Sequence, residues 1–216
     1  MSEIELYSYF ASSCTFRLRI MLNYKGLEYD MKYVNLKAKE NFDENFSKVN
    51  SMNQVPSIRL DGITMSQSMV IAEYLEETRQ TEPPMLPKDP KTRAIVREIA
   101  EIINSGTQPN QNLGLINRIE ELGGADAKMA WVEKALFRGL KAAEVLVEKY
   151  GGKYAVGDDL TIADAFLYPQ LYSAAVRFGL DVEKNCPILH RLYKTLSEHP
   201  AVIAASPGQQ KDFPGA

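Results

Sequence analysis

Glu82-Pro83-Pro84-Met85-Leu86-Pro87-Lys88-Asp89-Pro90 divides the 216-residue chain into two parts with different periodicities. Four of the 11 prolines fall in this stretch. Proline can neither continue a helix interior nor donate to a sheet ladder, so 83–90 reads as an interdomain linker. It separates a first domain over 1–82 from a second over 91–216.

On the N-terminal side, alternating and helical spacings follow one another. Ile4 to Tyr9 reads as a strand with Ile4 and Leu6 on one face. Leu18, Met21 and Leu22 are spaced as on one helix face, and Gly26 is placed to end that helix. Tyr29 to Leu36 reads as a second strand, and a polar helical stretch follows. Pro56 to Leu60 reads as a third strand, and Asp61-Gly62 turns it into Ile63-Thr64-Met65. A last helix carries Met69, Val70, Ala72, Glu73 and Leu75. This β-α-β-α-β-β-α order describes a small α/β unit with both parallel and antiparallel pairing. Pro56 marks either a sheet edge or a cis bond in a tight turn.

On the C-terminal side everything reads as helix. Ile95, Ile99, Ile102 and Ile103 form one apolar stripe; Trp131, Ala135, Leu136, Leu140, Ala143 and Val147 form another. Thr161 and Asp164 stand in the N-cap and N3 relation of a capping box, with Asp in place of the usual Glu or Gln. From Pro207 onward the chain reads as an extended tail. The fold class is therefore α/β plus all-α.

Composition narrows the function. A net charge of −3 supplies no general attraction for nucleic acid or an anionic membrane. No apolar run approaches the roughly 18 residues that span a bilayer, and the N-terminal residues lack the pattern of a secretory signal. Cys14 and Cys186 are too few and too distant for a disulfide framework, and two histidines exclude a His-rich metal site. These features describe a cytoplasmic protein without a metal, whose chemistry sits on few residues.

Three clusters remain. Ser12-Ser13-Cys14-Thr15-Phe16-Arg17 places two hydroxyls and a thiol where the first strand hands over to a helix. A helix start offers unpaired N–H groups and the positive end of the macrodipole, a setting that stabilises a thiolate. Gln54-Val55-Pro56 offers backbone groups to an extended peptide-like ligand. Gln67-Ser68, just before the last helix of the first domain, suits a carboxylate. Each also has a purely structural reading: a serine cap, a small buried thiol, an ordinary strand start.

Taken together and in order, Ser12 to Ile20, Gln54-Val55-Pro56 and Gln67-Ser68 resemble the signature of zeta-class glutathione transferases. Ile71 to Thr78 and Gly157 to Asp164 fit as well, so the resemblance covers nearly the whole chain. It implies a thioredoxin-like N-terminal domain that binds glutathione as cofactor. It also implies an all-helical C-terminal domain that shapes the pocket of a small acidic electrophilic substrate, and a homodimer. The glutathione roles it carries over fall on Ser12 as first choice to activate the sulfur, with Ser13 and Cys14 in support. Thr15, Phe16, Arg17, Asn41, Val55, Pro56, Gln67, Ser68, Gln108 and Asn112 are the further glutathione-binding positions. Val55 would pair with the cysteinyl backbone, and Gln67 and Ser68 would hold the γ-glutamyl carboxylate. Arg177 would face the substrate carboxylate; Arg17 and Arg19 are further local cations that could meet it, or equally serve structural pairing or solvation. Three departures from the family pattern stand out. Phe16 replaces a common Trp. The spacing near Glu40-Asn41-Phe42 is shorter. The stretch from Asp164 to Arg177 is one residue longer, and one residue turns a helix by about 100°.

The activity so implied is glutathione-dependent cis–trans isomerisation of maleylacetoacetate or maleylpyruvate, in tyrosine and phenylalanine catabolism. Alternatives are conjugation or dehalogenation of small α-halo acids, thiol activation by Tyr7 or Tyr9, a redox role for Cys14, and a non-catalytic binding module of the same fold.

Overall fold

The computed structural model of the chain describes residues 3–214. They group into two compact units, Met1–Glu82 with Glu198–Ala216, and Pro83–Ser197. In the first unit, β1 (Glu5–Ser8), β2 (Asp30–Tyr33), β3 (Ser57–Leu60) and β4 (Ile63–Ser66) form a sheet in the order β2-β1-β3-β4. β1 runs parallel to β2 with Leu6 opposite Met31, and antiparallel to β3 with Leu6 opposite Ile58. Leu6 and Ile58 are fully buried, which pins the register, since a one-residue slip would send both to the opposite face.

Helices α1 (Ser13–Tyr24), α2 (Glu44–Val49) and α3 (Ser68–Thr78) accompany the sheet. α1 buries Leu18, Met21 and Leu22, the face expected from their spacing, and Gly26 follows it at φ 65°. Asp61 and Gly62 both take positive φ, the geometry of a type I′ hairpin turn between β3 and β4. β2 is shorter than the expected 29–36 because Asn35 ends it. The Asn35 side-chain oxygen accepts the N–H groups of Lys37 and Ala38, bending the chain into a turn. β3 is an interior strand, so Pro56 does not mark an edge; the Val55–Pro56 bond is cis, the other of the two readings.

The second unit is helical: α4 (Pro90–Asn104), α5 (Leu113–Tyr150, broken at Gly124 with φ 80°), α6 (Ile162–Tyr172), α7 (Val182–Asn185) and α8 (Pro187–Ser197). α4 buries Val96, Ile99, Ala100 and Ile103, while Ile95 and Ile102 flank that line half-buried. The second stripe is buried from Ala135 to Val147, but Trp131 is exposed and its indole donates to the Asn110 carbonyl at 3.0 Å. Before α6, the Asp164 carboxylate accepts the Thr161 N–H at 2.9 Å and hydroxyl at 3.0 Å, the N3 side of the expected box. No helix of the described residues is long and apolar enough to cross a membrane.

Two expected boundaries are corrected. The proline-rich stretch packs into the second unit: Met85 and Leu86 are buried, and the Met85 carbonyl accepts the Ile162 N–H at 3.0 Å. Residues 198–216, expected to close the helical domain, group with the first unit instead. There α9 (Pro200–Ala205) sets Ala201, Val202 and Ala205 into the interior, and a 3-10 turn, Pro207–Gln209, replaces the expected extended tail.

Candidate active site

The start of α1 is built by Ser12. Its N–H donates to the Tyr9 carbonyl at 3.0 Å, closing a turn, and its Oγ accepts the Thr15 N–H at 3.2 Å as N-cap. Ser12, Ser13 and Cys14 are half-buried and reach the surface, whereas Thr15 and Phe16 turn into the core. Of the expected cluster, then, only the first three side chains are accessible. Thr15 serves the site through its backbone N–H.

Arg17 is the informative member. It is fully buried, and its Nη1 donates to Ser68 Oγ at 2.9 Å. Two clusters separated by 51 residues in sequence are thereby joined at the starts of α1 and α3. This corrects the expectation that Arg17 meets a substrate carboxylate, because its guanidinium lies out of reach of solvent. Arg19 is corrected likewise. It is fully buried, donates to the carbonyls of Ala205 (2.8 Å) and Phe10 (3.2 Å) and to Ser8 Oγ (3.3 Å), and lies 5.1 Å from the Phe16 ring centroid. Burial lowers its pKa to about 10, so it stays cationic at neutral pH.

At the start of α3, Gln67 adopts φ 73°, a left-handed conformation that costs a non-glycine residue about 1–3 kcal/mol. Val55 packs its side chain with Tyr9, Val34 and Phe46. Among the described residues no hydrogen bond occupies the Val55 N–H or C=O, which leaves both free as the sequence suggested. Pro56 is buried beside it. Asn41 is buried, and its amide donates to the Asn53 carbonyl at 2.7 Å, which commits half of the side chain to the loop. Its Oδ1 is buried with no hydrogen-bond partner among the described residues.

A cavity of about 430 Å³ opens beside the Tyr9–Ser12 turn, lined by Tyr9, Phe10, Tyr33, Lys37 and Asp212 among others. The Tyr9 hydroxyl is buried and the Tyr7 ring packs against Phe46, tilted at 57° with centroids 5.9 Å apart, which weighs against either tyrosine activating a thiol. Cys186 is fully buried and burial pushes its thiol up to about 12, so it is chemically inert.

In the second unit, Gln108 Nε2 donates to Asn112 Oδ1 at 2.9 Å. Arg177 is exposed, its guanidinium 4.7 Å from the centroid of the Phe178 ring. It ends a π-helical turn, Ser173–Arg177, in which the Phe178 N–H reaches the Ser173 carbonyl at 3.1 Å. A π turn holds one residue more than an α turn, and it falls inside the stretch that is one residue longer than the family pattern. Sequence reading missed the buried polar set beneath this turn, where Gln111 and Gln170 exchange amide hydrogen bonds and Ser173 Oγ donates to Gln111 Oε1 at 3.0 Å. The only hint lies in polar residues at positions where the helical period asks for apolar ones.

Comparison with known proteins places the chain in a family of this fold. The glutathione S-transferase N-terminal domain model matches residues 2–77, and the C-terminal domain model matches residues 119–204. The chain is 42% identical over 211 residues to the maleylacetoacetate isomerase of Rattus norvegicus, covering 97% of this chain and 94% of that protein. It superposes with a TM-score of 0.87 on the crystal structure of maleylacetoacetate isomerase from Anaeromyxobacter dehalogenans 2CP-1 with bound glutathione, at 41% identity and 98% coverage of both chains. A holo structure of a bacterial zeta-class maleyl pyruvate isomerase is similar with a TM-score of 0.91 and 32% identity, over 96% of this chain and 99% of that one.

Proposed function

The chain belongs to the glutathione S-transferase family, in the zeta-class group with the maleylacetoacetate isomerases, and from that premise we propose that it is a glutathione-dependent cis–trans isomerase of maleylacetoacetate or a close analogue such as maleylpyruvate. The observation that carries the reading is the joining of two helix starts through the Arg17–Ser68 hydrogen bond. Each start presents N–H groups and the positive end of a macrodipole, and glutathione brings two anionic groups, a thiolate and a γ-glutamyl carboxylate. Bound glutathione supplies a thiol that adds reversibly to an electron-poor double bond, so that the bond can rotate before the sulfur leaves.

The chain's own residues hold and orient. Ser12, half-buried at the cap, is the proposed hydrogen-bond donor to the sulfur, with Ser13 and Cys14 beside it. Val55 offers its free N–H and C=O to the peptide backbone of the ligand, with Pro56 beside it. Gln67 and Ser68 take the carboxylate, and Asn41 offers its unpartnered Oδ1 to an N–H. Gln108 and Asn112 are proposed as further glutathione contacts, and Arg177 as the partner of the substrate carboxylate. The chain is further proposed to act in the cytoplasm as a homodimer, which sedimentation equilibrium checks.

The test is an NMR assay of maleylacetoacetate turnover with and without glutathione. Conversion to the trans product only when glutathione is present supports the reading, and no such conversion sinks it. Ser12→Ala is expected to lower kcat by about 10²-fold, because a single donor aimed at developing charge contributes on that order. Unchanged turnover in Ser12→Ala with loss in Tyr9→Phe would move the role to the tyrosine.

A further inference from the structure

We propose that Asp212, near the C-terminus, is a positioning residue for the thiol-binding turn, acting through the backbone of Phe10. Phe10 stands at the second position of the turn that Tyr9 and Ser12 close. Both of its backbone polar groups are held by buried or half-buried charged side chains. Its N–H donates to Asp212 Oδ2 at 2.8 Å, and its C=O accepts from Arg19 Nη2 at 3.2 Å. Its ring meets Phe213 edge-on, centroids 5.4 Å apart at 88°. The same Arg19 holds the Ala205 carbonyl at 2.8 Å, so the C-terminal segment grips the turn from two points.

Asp212 is 202 residues from Phe10 in sequence and lies in the stretch that reads from its residues only as an extended tail. Arg19 and Asp212 are also of opposite charge and attract one another across the turn. A turn held at one N–H and one C=O by charge-assisted bonds has little freedom. Ser12 leaves that turn directly, so its Oγ inherits the position. Misplacing a reacting or orienting group by about 1 Å costs up to roughly 10²-fold in rate. The inference rests on the reading that Ser12 serves the glutathione sulfur, and it adds a residue that touches neither sulfur nor substrate.

The experiment follows the Phe10 amide by hydrogen exchange in the ligand-free full chain, together with the pKa of bound glutathione's thiol from its ultraviolet absorbance against pH. In the wild type the Phe10 amide is expected to be protected; exchange at the rate of an open loop overturns the proposal without any variant. In Asp212→Ala, Phe10 is expected to exchange about tenfold faster or more, the bound thiol pKa to rise, and kcat to fall about tenfold, as a loosened orienting group implies. Asp212→Asn keeps an oxygen that can accept the Phe10 N–H and is expected to recover most of all three. Unchanged Phe10 exchange and an unchanged thiol pKa in folded Asp212→Ala overturn the proposal, as does an Asp212→Asn variant as impaired as the alanine. Ser12→Ala separates the two readings. If it leaves the bound thiol pKa unmoved, the Ser12 role fails, while Phe10 exchange in Asp212→Ala still reports on the clamp.

Discussion

A single absent side chain sets how two segments of the second unit pack. Gly139 lies in α5, and a Cβ there would stand 2.9 Å from the Cβ of Thr107, inside the contact distance of two carbons. Thr107 is fully buried and its hydroxyl donates to the Ile102 carbonyl at 2.8 Å, so it has no open direction in which to yield. Gly139→Ala should therefore destabilise by about 1–3 kcal/mol, although alanine is the better helix former, because overpacking outweighs propensity. Urea unfolding measures the loss, and Thr107→Ala in the Gly139→Ala background should return part of it. Arg17 and Arg19 teach the reverse lesson. In sequence they are two cations beside an anion-binding turn, equally suited to a ligand or to a scaffold. Only burial decides, and burial comes from elements 51 and 186 residues away.

Two polar contacts at helix ends make measurable claims. Lys25, just after α1, has a fully buried ammonium that pairs with Glu76 of α3 at 2.5 Å and donates to the Arg79 carbonyl at 2.8 Å. Glu76→Ala would leave a buried, half-satisfied cation and should cost about 3–5 kcal/mol. The double variant with Lys25→Met should lose less than Glu76→Ala alone, since the uncompensated charge is gone; a double-mutant cycle by denaturant unfolding checks this. The second contact is Asp164 in the first turn of α6. Its carboxylate accepts the Ala155 N–H at 2.8 Å as well as both Thr161 donors, and burial still raises its pKa from 3.8 to about 6. A native-state pKa above the unfolded one means that the folded chain holds the proton more tightly. Its contribution therefore grows as pH falls from 7 through about 6 and is lost as pH rises through that value. Between pH 7 and pH 5 the wild type should gain about 1.3 kcal/mol relative to Asp164→Ala, measured by unfolding at both pH values. The capping relation was visible in the spacing of Thr161 and Asp164, a local signal. The π turn at Ser173–Arg177 was visible only as a length mismatch, because nothing in the residues Ser-Ala-Ala-Val-Arg prefers a wider turn.

At the scale of the whole chain, local periodicity carried the reading as far as local forces reach. Strand and helix order, the hairpin at Asp61-Gly62 and the capped start at Ser12 all follow from spacings shorter than one element. The placement of residues 198–214 does not. The stretch Pro200-Ala-Val-Ile-Ala-Ala205 is short and alanine-rich, and its apolar face suits any helical partner. What assigns it to the first unit is α1, which receives its buried Ala201, Val202 and Ala205, together with hydrogen bonds from Arg19 to the Ala205 carbonyl and from Asn23 to the Ala201 carbonyl at 3.3 Å. The first unit is thus closed by the last residues of the chain, after the second has been completed. Truncation after Ser197 should therefore damage the first unit and not the helical one. It uncovers the buried valine and alanines and strips Arg19 of one of its two carbonyl acceptors and of its neutralising Asp212. Burying one valine contributes about 1.5–3 kcal/mol and a hydrogen bond from a charged donor about 1.5–3 kcal/mol, so the first unit should lose about 4 kcal/mol. Hydrogen exchange read by mass spectrometry separates the units. Faster exchange across 5–78 with unchanged protection in α4 to α6 is the expected pattern. Equal loosening of both, or of neither, would show that the C-terminal segment does not hold the first unit together.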